Sequence, residues 1–492
     1  MERPTLSRAI AAVRLPEKVV QFGTGAFLRG FAEYFIDEAN RDGRFNGSVV
    51  AVGSTGSTRD AALNEQEGLY TLAIRGMANG ETCEGYRIVS SLSRALSARD
   101  EWATVLALAA DPAIELVISN TTEVGIALDP SDEYDASPPR SFPGKLTRFL
   151  VERARVFDFD QRRGVVVLPC ELIDDNGTKL REVVNELAHL WQLDSRFTRW
   201  LDRAVVFCNT LVDRIVPGAP TPAEAEQIQA SLGYRDSLLM VCEPYALFAI
   251  EGDDELRARL GFPGEDPRII VSPDIRPYRE RKVRVLNGAH TIAASAALLA
   301  GLETVGDAVA DERIGRFIRR AMFDEIVPSL DAPNAPAFAR DVVERFANPY
   351  LRHALIDITL YHTTKMRVRI VPSIVGYYER TGRTPVTLAF GFAAYVAFMR
   401  GERQAERRAA GRAVPDDPEG DRVHAAWQNV DVRSDDAVTA MARTVVADSS
   451  LWGAELGAVP GFADAVADAL VRIVRHGLTA ALDQQLTEPA TI

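Results

Sequence analysis

At 492 residues the chain is too long for one hydrophobic core and should divide into two domains, or three. Its hydrophobic content of 47%, charged content of 25% and net charge of −13 describe a soluble globular protein and argue against nucleic acid or an anionic membrane as main partner. Cys83, Cys170, Cys208 and Cys242 lie far apart with no C-x-x-C pair, which fits reduced cytosolic thiols and offers no zinc framework. The N-terminus lacks a signal-peptide layout and no apolar run reaches the ~20 residues of a membrane span, so a cytoplasmic location is expected.

The first readable unit is residues 18–40, K-V-V-Q-F-G-T-G-A-F-L-R-G-F-A-E-Y-F-I-D-E-A-N. A short apolar strand, Val19–Phe22, meets Gly23 and Gly25 and then a run of helical spacing. In that order these parts receive a dinucleotide pyrophosphate: glycines let the backbone approach, and the helix N-terminus offers free N–H groups and positive potential. The third glycine of the usual fingerprint would fall at Leu28, and Gly30 comes two residues late, so this motif alone is a loose match. Arg29 reads as a phosphate contact or as a surface arginine. A second strand, Ser48–Gly53, ends in Gly53-Ser54-Thr55, with no acid before Asp60 to hold the ribose hydroxyls of NAD. Arg59 stands near enough to meet a 2′-phosphate instead.

Trp102–Ala110 reads as a helix and Ile114–Ser119 as a buried parallel strand. The strand ends in the polar cluster Asn120–Glu123, where an open α/β sheet binds ligand. Gly164–Pro169 runs into C-E-L-I-D-D-N-G and a helix near Lys179–Gln192; Ala204–Phe207 runs into C-N-T-L-V-D-R-I-V-P-G. Repeated strand, polar turn and helix means a mostly parallel sheet with helices on both faces. Between Asp266 and Lys282 the texture becomes rich in proline and arginine, and the domain boundary is placed there, giving 1–278 and 279–492. Beyond it helical patterns dominate, at Asp311–Met322, Phe338–Phe346, Leu351–His362, Thr387–Met399 and Phe462–Gln484, with Arg400–Arg422 expected as a charged surface loop.

The stretch K-V-R-V-L-N-G-A-H, Lys282 to His290, opens the second part. On an α-helix beginning at Lys282, the side chains of Lys282, Asn287 and His290 project at roughly 0°, 140° and 80°, on one broad face. An ammonium, an amide and an imidazole placed together can handle a carbonyl oxygen and its neighbouring hydroxyls; ordinary solvated residues would fit the same spacing. Lysine occurs only at positions 18, 145, 179, 282 and 365, among 56 Lys+Arg. Where positive charge alone suffices this chain uses arginine, and a lysine can release its proton where arginine cannot.

Taken together, V-V-Q-F-G-T-G-A-F-L-R, L-N-E-Q-E-G-L-Y-T (63–71), I-S-N-T-T-E (118–123), L-P-C-E-L-I-D-D-N-G (168–177), C-N-T-L-V-D-R-I-V-P-G (208–218), K-V-R-V-L-N-G-A-H and R-F-A-N-P (345–349) resemble the polyol-type long-chain dehydrogenase/reductase family. That family includes mannitol dehydrogenase and the hexuronate reductases, and the latter are the nearer resemblance. The resemblance implies a Rossmann-type, doubly wound parallel domain followed by a mainly helical one, and metal-free hydride transfer between a nicotinamide and a secondary alcohol or ketone. It implies a keto-hexuronate such as tagaturonate as substrate, reduced to its aldonate; fructuronate and a mannitol/fructose pair are the alternatives. Family habit points to NAD, with NADP left open by the missing acid. By the same resemblance Lys282 is the acid/base, Asn287 and Asn176 stabilise the oxyanion, and His290 orients Lys282 or bonds a hydroxyl. Gly23, Gly25, Ala26, Phe27, Asn120 and Thr121 would meet the cofactor. For the substrate carboxylate the cations on offer are Arg345 and Lys365, ahead of Arg367 and His362, with Asp213 a substrate neighbour or a partner of Arg214. The sequence assigns no oligomeric state.

Overall fold

The computed structural model describes residues 3–7, 14–54, 58–121 and 125–487. The chain divides into two units, Met1–Arg75 with Cys83–Ile275, and Gly76–Thr82 with Arg276–Ile492. The break after Ile275 comes slightly before the expected one after 278.

The first unit is organised by strands β1 (Glu17–Phe22), β2 (Ser48–Gly53), β3 (Tyr70–Ala78), β4 (Glu81–Val89), β5 (Leu92–Ser97), β6 (Leu116–Ser119), β7 (Val166–Pro169), β8 (Val206–Phe207), β9 (Thr210–Asp213), β10 (Met240–Cys242), β11 (Leu247–Glu251) and β12 (Ile269–Ser272). Six of them form a parallel sheet in the order β5-β2-β1-β6-β7-β8. The chain therefore travels from β1 through β2 to β5, then restarts on the other side of β1 at β6. Alternating residues explain why both faces are covered. Val19, Val49, Ala51, Leu116 and Ile118 pack toward Phe31 and Phe35, while Val20, Val50, Val52 and Val117 pack toward Phe149, Leu150, Leu180 and Val184. The latter belong to the helices Phe142–Val156 and Asn176–Leu190. Two three-stranded sheets, β10-β3-β4 and β12-β11-β9, complete the strand set, and the sequence reading had assigned neither.

The strand and helix ends differ from expectation where local signals are ambiguous. The helix after Gly25 breaks into Ala26–Arg29 and Ala32–Arg41, with Phe31 between them at φ −131°, ψ −82°, and Gly30 sits against Val216, whose Cγ1 would lie 2.8 Å from an added Cβ. Trp102–Ala110 is α-helical only to Ala107 and closes with a 3₁₀ turn.

The second unit is helical. Its centre is Gly288–Leu299, whose run of alanines is buried on all sides against Val386–Phe398, itself apolar all round and packed on Phe462–Thr487. Leu351–His362 is not one helix: single turns at Leu355–Ile358 and His362–Lys365 are separated by Tyr361 at φ 50°. The expected loop Arg400–Arg422 contains a helix, Glu402–Ala409, because all 8 of its residues are Glu, Arg, Gln or Ala, good helix formers with both signs of charge. Glu325 enters from a π-helical turn, Ala321–Ile326, and its two carboxylate oxygens accept from Thr387 N and Leu388 N, each at 2.7 Å. It thereby caps the buried start of Val386–Phe398, and burial pushes its pKa up to about 7. Among the described residues, no helix is long and apolar enough to cross a membrane.

Gly177 tests the packing of the first unit. An added Cβ there would run into the backbone of Cys208 and Asn209 on the neighbouring turn. Gly177→Ala should cost about 1–3 kcal/mol through overpacking, read as a lower midpoint in thermal unfolding followed by circular dichroism. An unchanged midpoint would show that the turn opens freely.

Candidate functional site

The end of β1 is built for close approach. Gly23 has φ 119°, a conformation that side-chain-bearing residues rarely adopt, and its missing Cβ leaves room for Asn120 O, which would lie 3.0 Å away. An added Cβ at Gly25 would meet nothing within 4 Å, so its backbone faces open space. Gly23, Gly25, Ala26 and Phe27 all remain partly exposed, and Phe27 stacks on Phe31 with centroids 5.0 Å apart. A cavity of about 610 Å³ opens at the carboxyl ends of β1, β2 and β6, lined by Gly23, Val52, Ser54, Asn120, Thr121 and Lys145 among others. This is where the strand order reverses, the place an open α/β sheet offers to a dinucleotide. The glycine turn and the cavity fit such a group.

Neighbouring residues are spent on holding this turn. Asn120 Nδ2 donates to Cys170 O at 2.6 Å, while Thr121 donates from both N and Oγ1 to Glu171 Oε1 at 2.9 and 3.0 Å. Ser119 Oγ donates to the other Glu171 oxygen at 3.1 Å. Glu171 was not singled out from the sequence, although a lone acid after an apolar strand was the signal available. Thr122 and Glu123 of the expected polar cluster, and Thr55 after β2, lie outside the described residues.

Arg29 is neither a phosphate contact nor a surface residue. It is buried over the ring of Tyr70, 5.5 Å from the centroid, with Nη1 on Leu238 O at 3.5 Å. Beside it Gln21 Nε2 donates to Glu33 Oε1 at 2.8 Å and the Tyr70 hydroxyl lies 2.8 Å from Glu33 Oε2. Burial raises the Glu33 pKa, and the hydrogen bonds from Gln21 and Tyr70 and the nearby Arg29 oppose that rise. The acid missing from the end of β2 returns from the next helix, Thr58–Glu65: Asp60 packs its carboxylate directly over Gly53, where an added Cβ would collide with it. Arg59, its neighbour, is exposed.

Asn176 requires a correction. It is fully buried, with Nδ2 donating to Pro169 O (2.9 Å), Glu171 O (3.1 Å) and Thr210 Oγ1 (3.1 Å). Its Oδ1 accepts from Gly177 N and Thr210 N, each at 2.9 Å. Both ends of the amide are consumed in tying the end of β7 to β9, leaving nothing for an oxyanion. Asp213 is buried at the end of β9. Arg214 Nη1 and Nε donate to Gly30 O (2.9 Å) and Glu243 O (3.0 Å), and the guanidinium covers Tyr34 at 4.4 Å.

In the second unit the motif does not lie on a plain α-helix. Arg276–Arg281 passes into a π-helical stretch, Lys282–Asn287, before the α-helix Gly288–Leu299 begins. Hydrogen bonding from i to i+5 brings residues five apart onto successive turns of one face, so Lys282 and Asn287 align more closely than an α-helix would allow. All three motif residues stay partly exposed. His290 stacks on Phe346 at 4.0 Å and meets the edge of His353 at 5.0 Å. Burial holds its pKa well below the usual histidine range, and His353, Arg345, Arg369 and Lys365 all lie close enough to lower it further. Arg345, Lys365, Arg369 and His353 thus stand within electrostatic reach of His290, and sequence reasoning passed over His353 and Arg369. Lys365 Nζ donates to Ile358 O at 2.9 Å. Arg367 points elsewhere, paired with Glu419 at 2.8 Å. His362 is a core residue: Nε2 lies 3.1 Å from Thr291 O, and the ring packs edge-on to Tyr395 and Phe398. Burial draws its pKa down to about 4. Among the described residues, no group of three or more His, Cys, Asp or Glu is placed to hold a metal ion.

The profile of the mannitol dehydrogenase Rossmann domain matches residues 17–263, and that of the mannitol dehydrogenase C-terminal domain matches residues 274–474. The chain belongs to the mannitol dehydrogenase family. Within the family it is 42% identical over 469 residues to an altronate oxidoreductase of Bacillus subtilis (strain 168), covering 95% of each chain. It is 41% identical over 473 residues to one of Yersinia enterocolitica serotype O:8 / biotype 1B (strain NCTC 13174 / 8081), covering 95% of this chain and 96% of that one. Among solved structures, Pseudomonas fluorescens mannitol 2-dehydrogenase, in a ternary complex with NAD and D-mannitol, superposes with a TM-score of 0.65 at 23% identity, covering 99% of this chain and 97% of that one. A substrate-free D-sorbitol dehydrogenase gives 0.76 at 21% identity over 95% of each chain. These two share the family fold.

His362 gives this family member an acid-sensitive core. Its folded pKa of about 4 lies below the unfolded value of 6.5, so the unfolded chain binds more protons between those pH values and stability falls as pH drops through that window. The loss from this residue reaches roughly 3 kcal/mol at its limit. Urea unfolding of wild type and His362→Gln from pH 7 to pH 4 should show the wild type losing stability faster; parallel curves would mean that His362 titrates normally.

Proposed function

We propose that the protein is an NAD-dependent reductase that converts a keto-hexuronate, tagaturonate, into its aldonate, altronate, with Lys282 rather than a metal supplying the proton. The observation that carries this reading is the cationic cluster of Arg345, Lys365 and Arg369 around His290, beside Lys282 and Asn287. A neutral polyol gives such a cluster nothing to bind, whereas a sugar acid brings a carboxylate. The altronate oxidoreductases related to this chain over nearly its whole length support the same substrate.

When bound, the nicotinamide supplies the hydride that reduces the ketone carbon. Negative charge then builds on the carbonyl oxygen, which needs a donor already in place and then a proton. Asn287 Nδ2 serves as that donor, and the Lys282 ammonium transfers its proton to the oxygen, leaving a secondary alcohol and a neutral amine. His290, held neutral by burial and by the surrounding cations, can accept from Lys282 or from a substrate hydroxyl. Asn176 has no place in these steps.

For cofactor choice, the carboxylate of Asp60 over Gly53 supports NAD, because an anion at the end of β2 disfavours the extra phosphate of NADP.

Two measurements test the reading. Initial rates of NADH and NADPH oxidation with tagaturonate, fructuronate and D-fructose should favour NADH with tagaturonate; equal rates on fructose would sink the uronate assignment. In the same assay Lys282→Ala should lose at least ~100-fold in kcat, the usual scale of general acid catalysis, while NADH binding followed by fluorescence stays intact. Separately, Asp60→Ser should narrow the preference for NADH over NADPH by about tenfold, roughly the 1.4 kcal/mol of one charge interaction near a surface. An unchanged ratio would remove Asp60 from cofactor selection.

A further inference from the structure

From the standing of its charges, we infer that Arg369 is the residue that receives the substrate's carboxylate and so sets the preference for a sugar acid over a neutral ketose. The inference rests on the reductase reading above and deepens it.

Several arginines elsewhere in the second unit are matched to acids even where water could solvate them. Arg313 pairs with Asp483 at 2.6 Å, Arg367 with Glu419 at 2.8 Å, Arg412 with Glu303 at 2.9 Å and Arg475 with Asp435 at 2.6 Å. Arg284 is buried without an ion pair, but Nε and Nη2 are spent on Ser373 Oγ (2.6 Å) and Ser329 Oγ (3.1 Å). Arg369 has neither arrangement. It is half-buried, its one hydrogen bond runs from Nη1 to Thr291 Oγ1 at 3.2 Å, and among the described residues no carboxylate pairs with it. Burial lowers its pKa with no acid to offset the cost. A guanidinium taken partly out of water with most of its five donors unused is unfavourable unless something else completes it.

Its position names what that something is. Thr291 follows His290 directly, and its hydroxyl donates to Asn287 O at 2.7 Å while accepting from Arg369. Arg369 is thus fastened to the same helical turn that carries Asn287 and His290. Its own backbone lies against the start of that helix, with Arg369 O 3.5 Å from a Cβ added at Gly288. The competing cations are less available: Lys365 is already committed to Ile358 O, and Arg345 is 7% exposed at the end of the Ala335–Phe346 helix. A planar fork with free donors matches a carboxylate in two-pronged fashion, as an ammonium cannot. His353, edge-on to His290, borders the same group of charges.

The test compares wild type, Arg369→Met and Arg369→Lys on tagaturonate and on D-tagatose, which carries a hydroxymethyl group in place of the carboxylate. For Arg369→Met the ratio of kcat/KM for tagaturonate over tagatose should fall about 100-fold, on the scale of losing a desolvated charge partner. The fall should sit in KM, with tagaturonate kcat within about threefold of wild type. Arg369→Lys should land between the two. Because no ion pair is lost, the melting midpoint of Arg369→Met should match or exceed that of wild type, which a purely structural arginine would not allow. A ratio within threefold of wild type, or equal losses on both ketoses, overturns the assignment. If wild type prefers fructuronate, the tagaturonate reading fails while Arg369 is judged by the same ratio on fructuronate and D-fructose. If wild type reduces no keto-uronate, calorimetry with D-altronate decides: heat that disappears in Arg369→Met supports the carboxylate site, and equal heat or none overturns it.

Discussion

The site proposed in the second unit depends on one backbone constraint, the π-helical stretch from Lys282 to Asn287. A π turn is rare because its hydrogen-bond geometry is poorer than that of an α-helix, and it persists where tertiary packing over-determines it. Here the following helix is fixed by a run of alanines buried against Val386–Phe398, so the chain entering it must absorb the mismatch upstream. The result is that an ammonium and an amide five residues apart share a face, with an imidazole one turn further on. A second π stretch, Met366–Ile370, packs near the first and carries Arg369. Two irregular turns therefore stand side by side, and regular helices hold them in place.

Charge follows from this geometry. Around His290 the chain assembles several cations, and the imidazole responds by staying neutral. Such an arrangement destabilises the protein by itself and becomes favourable only with an anion present. In the first unit the logic is reversed. Glu171 is an acid used to set backbone at the end of β6, and polar side chains such as Asn120, Thr121 and Asn176 are consumed by the turns they shape.

Much of the fold was legible in order. Ser48–Gly53 was read to the residue, and the runs ending at Phe22, Ser119 and Pro169 were located because strands buried on both faces are continuous apolar runs. Leu351–His362 misled because its apolar spacing suits a helix, while Tyr361 at φ 50° breaks it, its N–H donating instead to Asp416 O at 2.8 Å. Arg29 misled because its place after a glycine turn resembles a phosphate contact, and only Tyr70, 41 residues away, shows that it is buried. The N-G turn at Asn176 likewise looks like a free amide until Thr210 and Pro169 close around it.

The sequence by itself determined the class of fold, the glycine turn after the first strand, the lysine–asparagine–histidine motif and the presence of scarce lysines among many arginines. These are local patterns, written in spacing and residue type. Only the tertiary structure decided which polar groups are spent and which remain available. Arg367 and Arg369 are two residues apart in one short stretch, yet one is neutralised by Glu419 and the other is left with Thr291 alone. Their partners come from segments some fifty and eighty residues away. A side chain's charge, burial and freedom to bind are set by those distant neighbours, and no local pattern encodes them.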